Sequence, residues 1–177
     1  MVKPNEFQGK EIVELKQLVL EVMSSMDLWS KEQLTKLLEL DIGLLRSNAT
    51  QRHGVTRWKK GIINPSKIDD VEVIDLHPEL LTQKWKPYGA WVLHHEYIHA
   101  LGYLAHDRIF RELENLWPSS ESSKMGPKFT EYLRKKRAKW IWKCPKCSKE
   151  FPRQKKGLGK YMCRNCRVPL KDIPINS

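Results

Sequence analysis

The sequence predicts a mixed α+β body followed by a small metal-stapled appendage. Two patterns predict the body. Apolar residues recur at helical spacing in several stretches, and two short runs between them have β-like composition. One pattern predicts the appendage: all four cysteines fall in the last 34 of 177 residues, which disfavours a disulfide framework and favours a metal.

The elements follow in order. Residues 9–26 place Ile12, Leu15, Val19, Val22, Met23 and Met26 on one helical face. Ser30 with Gln33 three residues later forms a capping box for a second helix, whose apolar side is Leu34, Leu37, Leu38, Ile42 and Leu45. The pair reads as core helices in preference to a DNA-reading helix-turn-helix. Val55–Trp58 and Val71–Leu76 are the β-like runs, with the Asn64-Pro65 turn signal between them. Pro87 suits the first turn of a helix reaching about Leu101, which is apolar nearly all round and therefore buried. Gly102 is a natural stop. A further helix starts near Asp107, with Phe110, Leu113, Leu116 and Trp117 as its apolar side. Pro118 and residues 119–124 read as a linker, and residues 129–142 as a basic segment that begins helical. The expected division is a helical segment 1–48, a core 49–123, a basic linker or helix 124–142, and a cysteine domain 143–171.

Charge is distributed unevenly. Residues 1–123 carry 15 basic against 18 acidic side chains. From Lys124 onward, 17 Lys and Arg stand against Glu131, Glu150 and Asp172, a net of +14 within an overall +11. A slightly acidic body with a strongly basic tail is expected to seek polyanions, nucleic acid first. No window approaches the roughly 18 uninterrupted apolar residues that a bilayer span needs. Ile12–Met23 is broken by Glu14, Lys16, Gln17 and Glu21, so it is not a secretory signal. The expected location is a reducing compartment, the cytoplasm, with association to the nucleoid or residence in a nucleus.

His95-Glu96-Tyr97-Ile98-His99 is an H-E-x-x-H sequence on a predicted helix. Residues four apart share one helix face, so two imidazoles can meet one zinc ion while Glu96 reaches toward the attacking water. A bland alternative is a set of hydrogen-bonded core histidines beside a surface glutamate. A catalytic zinc needs a third protein ligand, and His106 is the leading candidate, with Glu112 or Glu114 as rivals. A straight helix would separate His99 and His106 by about 10.5 Å of rise, so the chain must turn between them, and Gly102 supplies the break.

Cys144-Pro-Lys-Cys147 and Cys163-Arg-Asn-Cys166 are two C-x-x-C pairs with fifteen residues between them. The spacing indicates a closed four-thiolate structural zinc, with a redox role as the weaker alternative. Lys143, Lys146, Arg153, Lys155, Lys156, Lys160, Arg164 and Arg167 surround these pairs and are the candidate nucleic-acid contacts. Trp140, Trp142, Phe151 and Tyr161 are interleaved with them, either as stacking faces for bases or as the small core of the domain.

Together these residues resemble the SprT-like zinc metalloproteases, the family of the Spartan-type DNA–protein crosslink proteases. Trp91 to His99 is similar to the active-site helix of that family, His106 to Phe110 to its third-ligand segment, and the cysteine pairs to its C-terminal zinc ribbon. The resemblance covers about residues 48–170, and the His99-to-His106 spacing is shorter than in several members. It implies a zincin-like core followed by a zinc ribbon. It also implies one catalytic zinc on His95, His99 and His106, one structural zinc on the cysteines, and Glu96 as general base. The strand near Val71–Leu76 would flank the cleft and receive an extended substrate as an added strand. The expected activity is DNA-stimulated endoproteolysis of proteins bound or crosslinked to DNA, in DNA repair. Two other functions fit the residues: a nucleic-acid-binding zinc-ribbon protein with an inactive or non-peptidase core, and a zinc hydrolase of small substrates.

Overall fold

Asn5 and Gln8 close a reciprocal capping box (2.8 and 3.0 Å) at the start of α1, Glu6–Ser24. In the computed structural model, which describes residues 2–175, Ile12, Leu15, Val19, Leu20 and Met23 form the buried stripe of that helix. The Ser30–Gln33 box opens α2, Lys31–Glu39. This helix ends before Ile42 and Leu45, contrary to the helical spacing. Lys16 of α1 donates to the Leu40 carbonyl at 2.7 Å, the backbone turns extended at Leu40, and Ile42–Leu44 becomes strand β1. Those apolar residues fit a helix stripe as well as a buried strand. Pairing with the sheet decides between the two.

β1 lies parallel to β3, Val71–Leu76, with Ile42 opposite Ile74. β2, Gly54–Trp58, is antiparallel to β3, with Gly54 opposite Leu76. The order β1-β3-β2 makes β3 the central strand and β2 an edge. The run expected to flank the cleft, Val71–Leu76, is therefore interior to the sheet, and β2 takes the edge position. Five of the six β3 residues are buried, Asp75 among them. Arg57 of β2 pairs with the Asp75 carboxylate at 2.5 Å.

α3, Lys86–Ala100, packs on α1 and on the sheet, with Pro87 in its first turn. Val19, Met23, Leu37, Ile74, Leu76, Leu93 and Ile98 have no exposed surface. Each such burial is worth roughly 1.5–3 kcal/mol before chain entropy is counted. α4, Arg108–Asn115, begins on the side chain of Asp107. The expected linker forms a short helix, α5, Ser120–Ser123, capped by Ser119. The Ser122 amide donates to Ser119 Oγ at 3.4 Å, the N-cap bond that opens this turn.

The chain divides into two compact units, one ending at Gly126 and the other beginning at Pro127. This differs from the composition-based segments. Residues 1–48 are not separate, since α1 covers α3 and β1 completes the sheet. The segment 124–142 is not a free-standing linker, since nearly all of it lies in the second unit. That unit contains α6, Gly126–Lys136, from its second residue onward, and an antiparallel sheet of β4 (Trp140–Lys143), β5 (Glu150–Arg153) and β6 (Lys171–Pro174), in the order β5-β4-β6. Among the described residues no helix is long and apolar enough to cross a membrane.

Candidate metal centres

α3 sets His95 and His99 one turn apart, and the following residues reverse the chain. The Gly102 amide donates to the His99 carbonyl (2.9 Å) and the Tyr103 amide to the Ile98 carbonyl (3.3 Å). These are the two bonds of a Schellman cap. Gly102 sits at φ +103°, and a Cβ there would collide with the Ser66 carbonyl. The break lets His106 swing back over α3, immediately before Asp107 caps α4.

His106 Nε2 lies 3.0 Å from His99 Nε2 and 3.2 Å from His95 Nε2. The opposite ring nitrogens are occupied. His95 Nδ1 is 2.7 Å from Glu114 Oε1, and His99 Nδ1 is 2.8 Å from the Tyr103 carbonyl. Carboxylates and carbonyls accept, so in the neutral rings both Nδ1 atoms carry the proton and both Nε2 atoms present lone pairs. His106 can donate to at most one of them. A cation resolves this arrangement. Tetrahedral zinc with bonds of about 2.0–2.1 Å holds its nitrogens about 3.3–3.4 Å apart, close to the spacing seen. Burial lowers the pKa of His99 to about 4 and also lowers that of His106, which favours the neutral form that binds metals. The buried ring of Phe110 backs all three imidazoles, with centroids 4.6–4.9 Å away.

Of the proposed third ligands, His106 is the one within the cluster. Glu112 is exposed and approaches Arg108 at 3.6 Å. Glu114 is buried, but it holds the outer nitrogen of His95 and is itself held by Arg111 at 2.7 Å. Such outer partners orient a ligand and increase its basicity.

Glu96 is 5 % exposed. Thr56 Oγ1 approaches its Oε2 at 2.8 Å and its backbone carbonyl at 3.1 Å. Burial raises the pKa of this carboxyl. A Cβ on Gly54 would stand 2.7 Å from Glu96 Oε1 and 2.8 Å from Val92 Cγ1, so only glycine lets β2 pass this close to α3. A cleft of about 570 Å³ between β2 and the histidines is lined by Thr56, Trp58, Pro65, Glu96, Leu104 and His106, among others. The sequence reading missed Gly54, Thr56 and the outer role of Glu114. A glycine at the head of a β-run was the available signal for the first. The other two depend on contacts between elements.

The four cysteines of the second unit form a separate cluster, all sulfurs within 4.8 Å of one another. They are free thiols, with Cys147 Sγ 3.8 Å from Cys163 Sγ. Two matching turns build it. The Cys144 amide bonds Lys149 O and the Ser148 amide bonds Cys144 O. The Cys163 amide bonds Val168 O and the Arg167 amide bonds Cys163 O. Ser148 and Arg167 both take positive φ, 56° and 52°, at equivalent positions. Burial opposes the Cys144 thiolate, but the amides of Cys147 and Lys146 outweigh it and bring its pKa to about 7. Hydrogen bonding to Cys147, followed by burial, pushes Cys166 up to about 12. Four such sulfurs can all be thiolates only around a cation.

Around this cluster Trp142 stacks on Tyr161 at 4.3 Å. Arg153 lies over Trp142 at 5.0 Å and Lys156 over Trp140 at 4.6 Å. Lys143 pairs with Glu150 at 3.0 Å. Lys146, Lys155, Lys160, Arg164 and Arg167 are exposed.

No family profile, no curated protein and no solved structure matches the chain.

Proposed function

We propose that the protein is a zinc-dependent endopeptidase of the SprT-like type, with a zincin-like core, that is stimulated by DNA and cleaves proteins bound or crosslinked to it. One observation carries the reading: three imidazole Nε2 atoms converge beside a buried glutamate, in a cleft bordered by an edge strand.

His95, His99 and His106 would hold a catalytic zinc, and Cys144, Cys147, Cys163 and Cys166 a structural one. The catalytic ion would supply Lewis-acid polarisation of the scissile carbonyl and a lowered pKa for water. The chain's own residues do the rest. The unpaired edge of β2 can add an extended polypeptide as a further strand, through backbone bonds that read little sequence. Thr56 engages Glu96 Oε2, so Oε1 takes a proton from the attacking water and returns it to the leaving amine. The burial that raises the Glu96 pKa makes it a stronger base once ionised.

The net +14 from Lys124 onward supports the DNA-stimulated part of the reading. The exposed cations and aromatic rings on the cysteine unit support it too, since cations neutralise phosphates and ring faces stack on unpaired bases.

The test is proteolysis of a DNA-bound protein by the zinc-loaded chain, with and without DNA. Glu96→Gln is expected to abolish cleavage while zinc per chain stays at two. Cleavage that survives Glu96→Gln refutes the reading.

A further inference from the structure

The metal-side cleft does not end at Glu96. A second hollow meets it at Gly54, His95 and Glu96 and continues instead toward Gln51, Arg52, Tyr88 and Trp91. Its volume is about 250 Å³, below the roughly 300–1,000 Å³ of sites for drug-sized ligands and suited to one side chain.

The walls are aromatic and braced. Trp91 lies one turn before His95 on α3, with ring centroids 5.8 Å apart. Tyr88 stacks parallel to Trp91 at 5.8 Å and 14°. Its hydroxyl is tied to His53 Nδ1 at 2.7 Å. Tyr88 is buried, whereas Trp91 is half-exposed and presents ring surface to the hollow.

Two charges flank these walls. Glu96 stands at the inner end and disfavours an acidic guest. Arg52, exposed in the lining, disfavours a basic one. A flat uncharged ring satisfies both, gaining a stacking partner in Trp91 and a cation near its face.

We propose that this hollow is a substrate subsite selecting an aromatic side chain next to the scissile bond, with Trp91 as its platform; this rests on the endopeptidase reading. It adds side-chain selection to a cleft whose strand-edge contacts alone would be indifferent to sequence.

The test uses the full zinc-loaded chain carrying Glu96→Gln, which binds without cleaving. Fluorescein-labelled Ala/Ser peptides with a single central Phe, Leu, Asp or Lys are titrated by fluorescence anisotropy. The Phe peptide is expected to bind about threefold to tenfold tighter than the Leu and Lys peptides, the comparison with Asp being set aside because Glu96→Gln removes the charge that opposes it. Adding Trp91→Ala should erase that advantage at unchanged zinc content, and Trp91→Phe should retain most of it. Arg52→Glu, at an exposed position that does not threaten folding, should raise the affinity of the Lys peptide relative to Phe. Equal binding of the Phe, Leu and Lys peptides overturns the subsite. So does a Phe advantage that persists in Trp91→Ala, or a ranking unmoved by Arg52→Glu. Wild-type chain is run on the same peptides with DNA. Absence of cleavage there counts against the endopeptidase reading alone, because the binding comparison is read separately.

Discussion

The two ligand clusters solve opposite problems. The histidines of the first unit are held by the scaffold: Glu114 and the Tyr103 carbonyl fix their outer nitrogens, and Phe110 backs their rings. One side opens onto a cleft. The cysteines of the second unit have little scaffold behind them. Trp142, Cys144, Cys163 and Leu170 make up their buried cluster, and two of these four are candidate metal ligands. Where a large core exists, a metal can be left accessible for chemistry. Where none exists, a bound metal can take the place of a core.

The sharpest break between them should come from metal removal. Structural zinc contributes about 10–16 kcal/mol to the folding of small zinc modules. Chelation, or Cys163→Ser, is expected to unfold the cysteine domain while the first unit keeps its helical signal. Two-dimensional NMR of the chelated chain reads this directly. Loss of dispersion in both units together would mean that the first also depends on metal.

Acid should separate them next. All six histidines lie in the first 106 residues. Burial lowers the pKa of His94 from 6.5 to about 4. The unfolded chain therefore takes up this proton at higher pH than the folded one. His94's contribution is complete above pH 6.5, declines as pH falls, and is lost below about pH 4. A shift of that size corresponds to roughly 3 kcal/mol. Urea unfolding of the first unit in metal-free buffer should lose stability across that window, and His94→Met should flatten the slope. An unchanged slope would assign the acid sensitivity to other groups.

The smallest expected effect is confined to one site. Glu114→Ala removes the outer partner of His95 and should weaken zinc binding at the histidines about 10- to 100-fold, leaving the cysteine site untouched. Competition with a chromogenic chelator distinguishes the two sites. Equal affinity in wild type and variant would reduce Glu114 to the buried ion-pair partner of Arg111.

Much of both clusters was legible in the sequence, because their spacings are short-range. A four-residue interval puts His95 and His99 on one face whatever surrounds the helix, and two C-x-x-C pairs need only local turns. Gly102 was readable as a stop because left-handed backbone favours glycine. The requirement that His106 fold back came from helix rise alone. Ile42–Leu44 was not legible: two apolar side chains on either side of Gly43 satisfy either period until a parallel partner is present. Residues 119–124 looked like a linker because their composition is polar, yet a single serine cap sufficed for one helical turn.

The sequence by itself determined which side chains are able to hold a metal, since this is a property of residue type and local spacing. Tertiary structure alone decided that β2 rather than β3 is the edge beside Glu96. It also decided that Glu114 acts through His95, that residues 1–48 belong to the core, and that Trp91 and Tyr88 wall a hollow next to His95. The physical reason is range. Local geometry follows from bonds and periodicity, whereas the neighbours of a side chain across the sheet or between α3 and α4 depend on how whole elements pack.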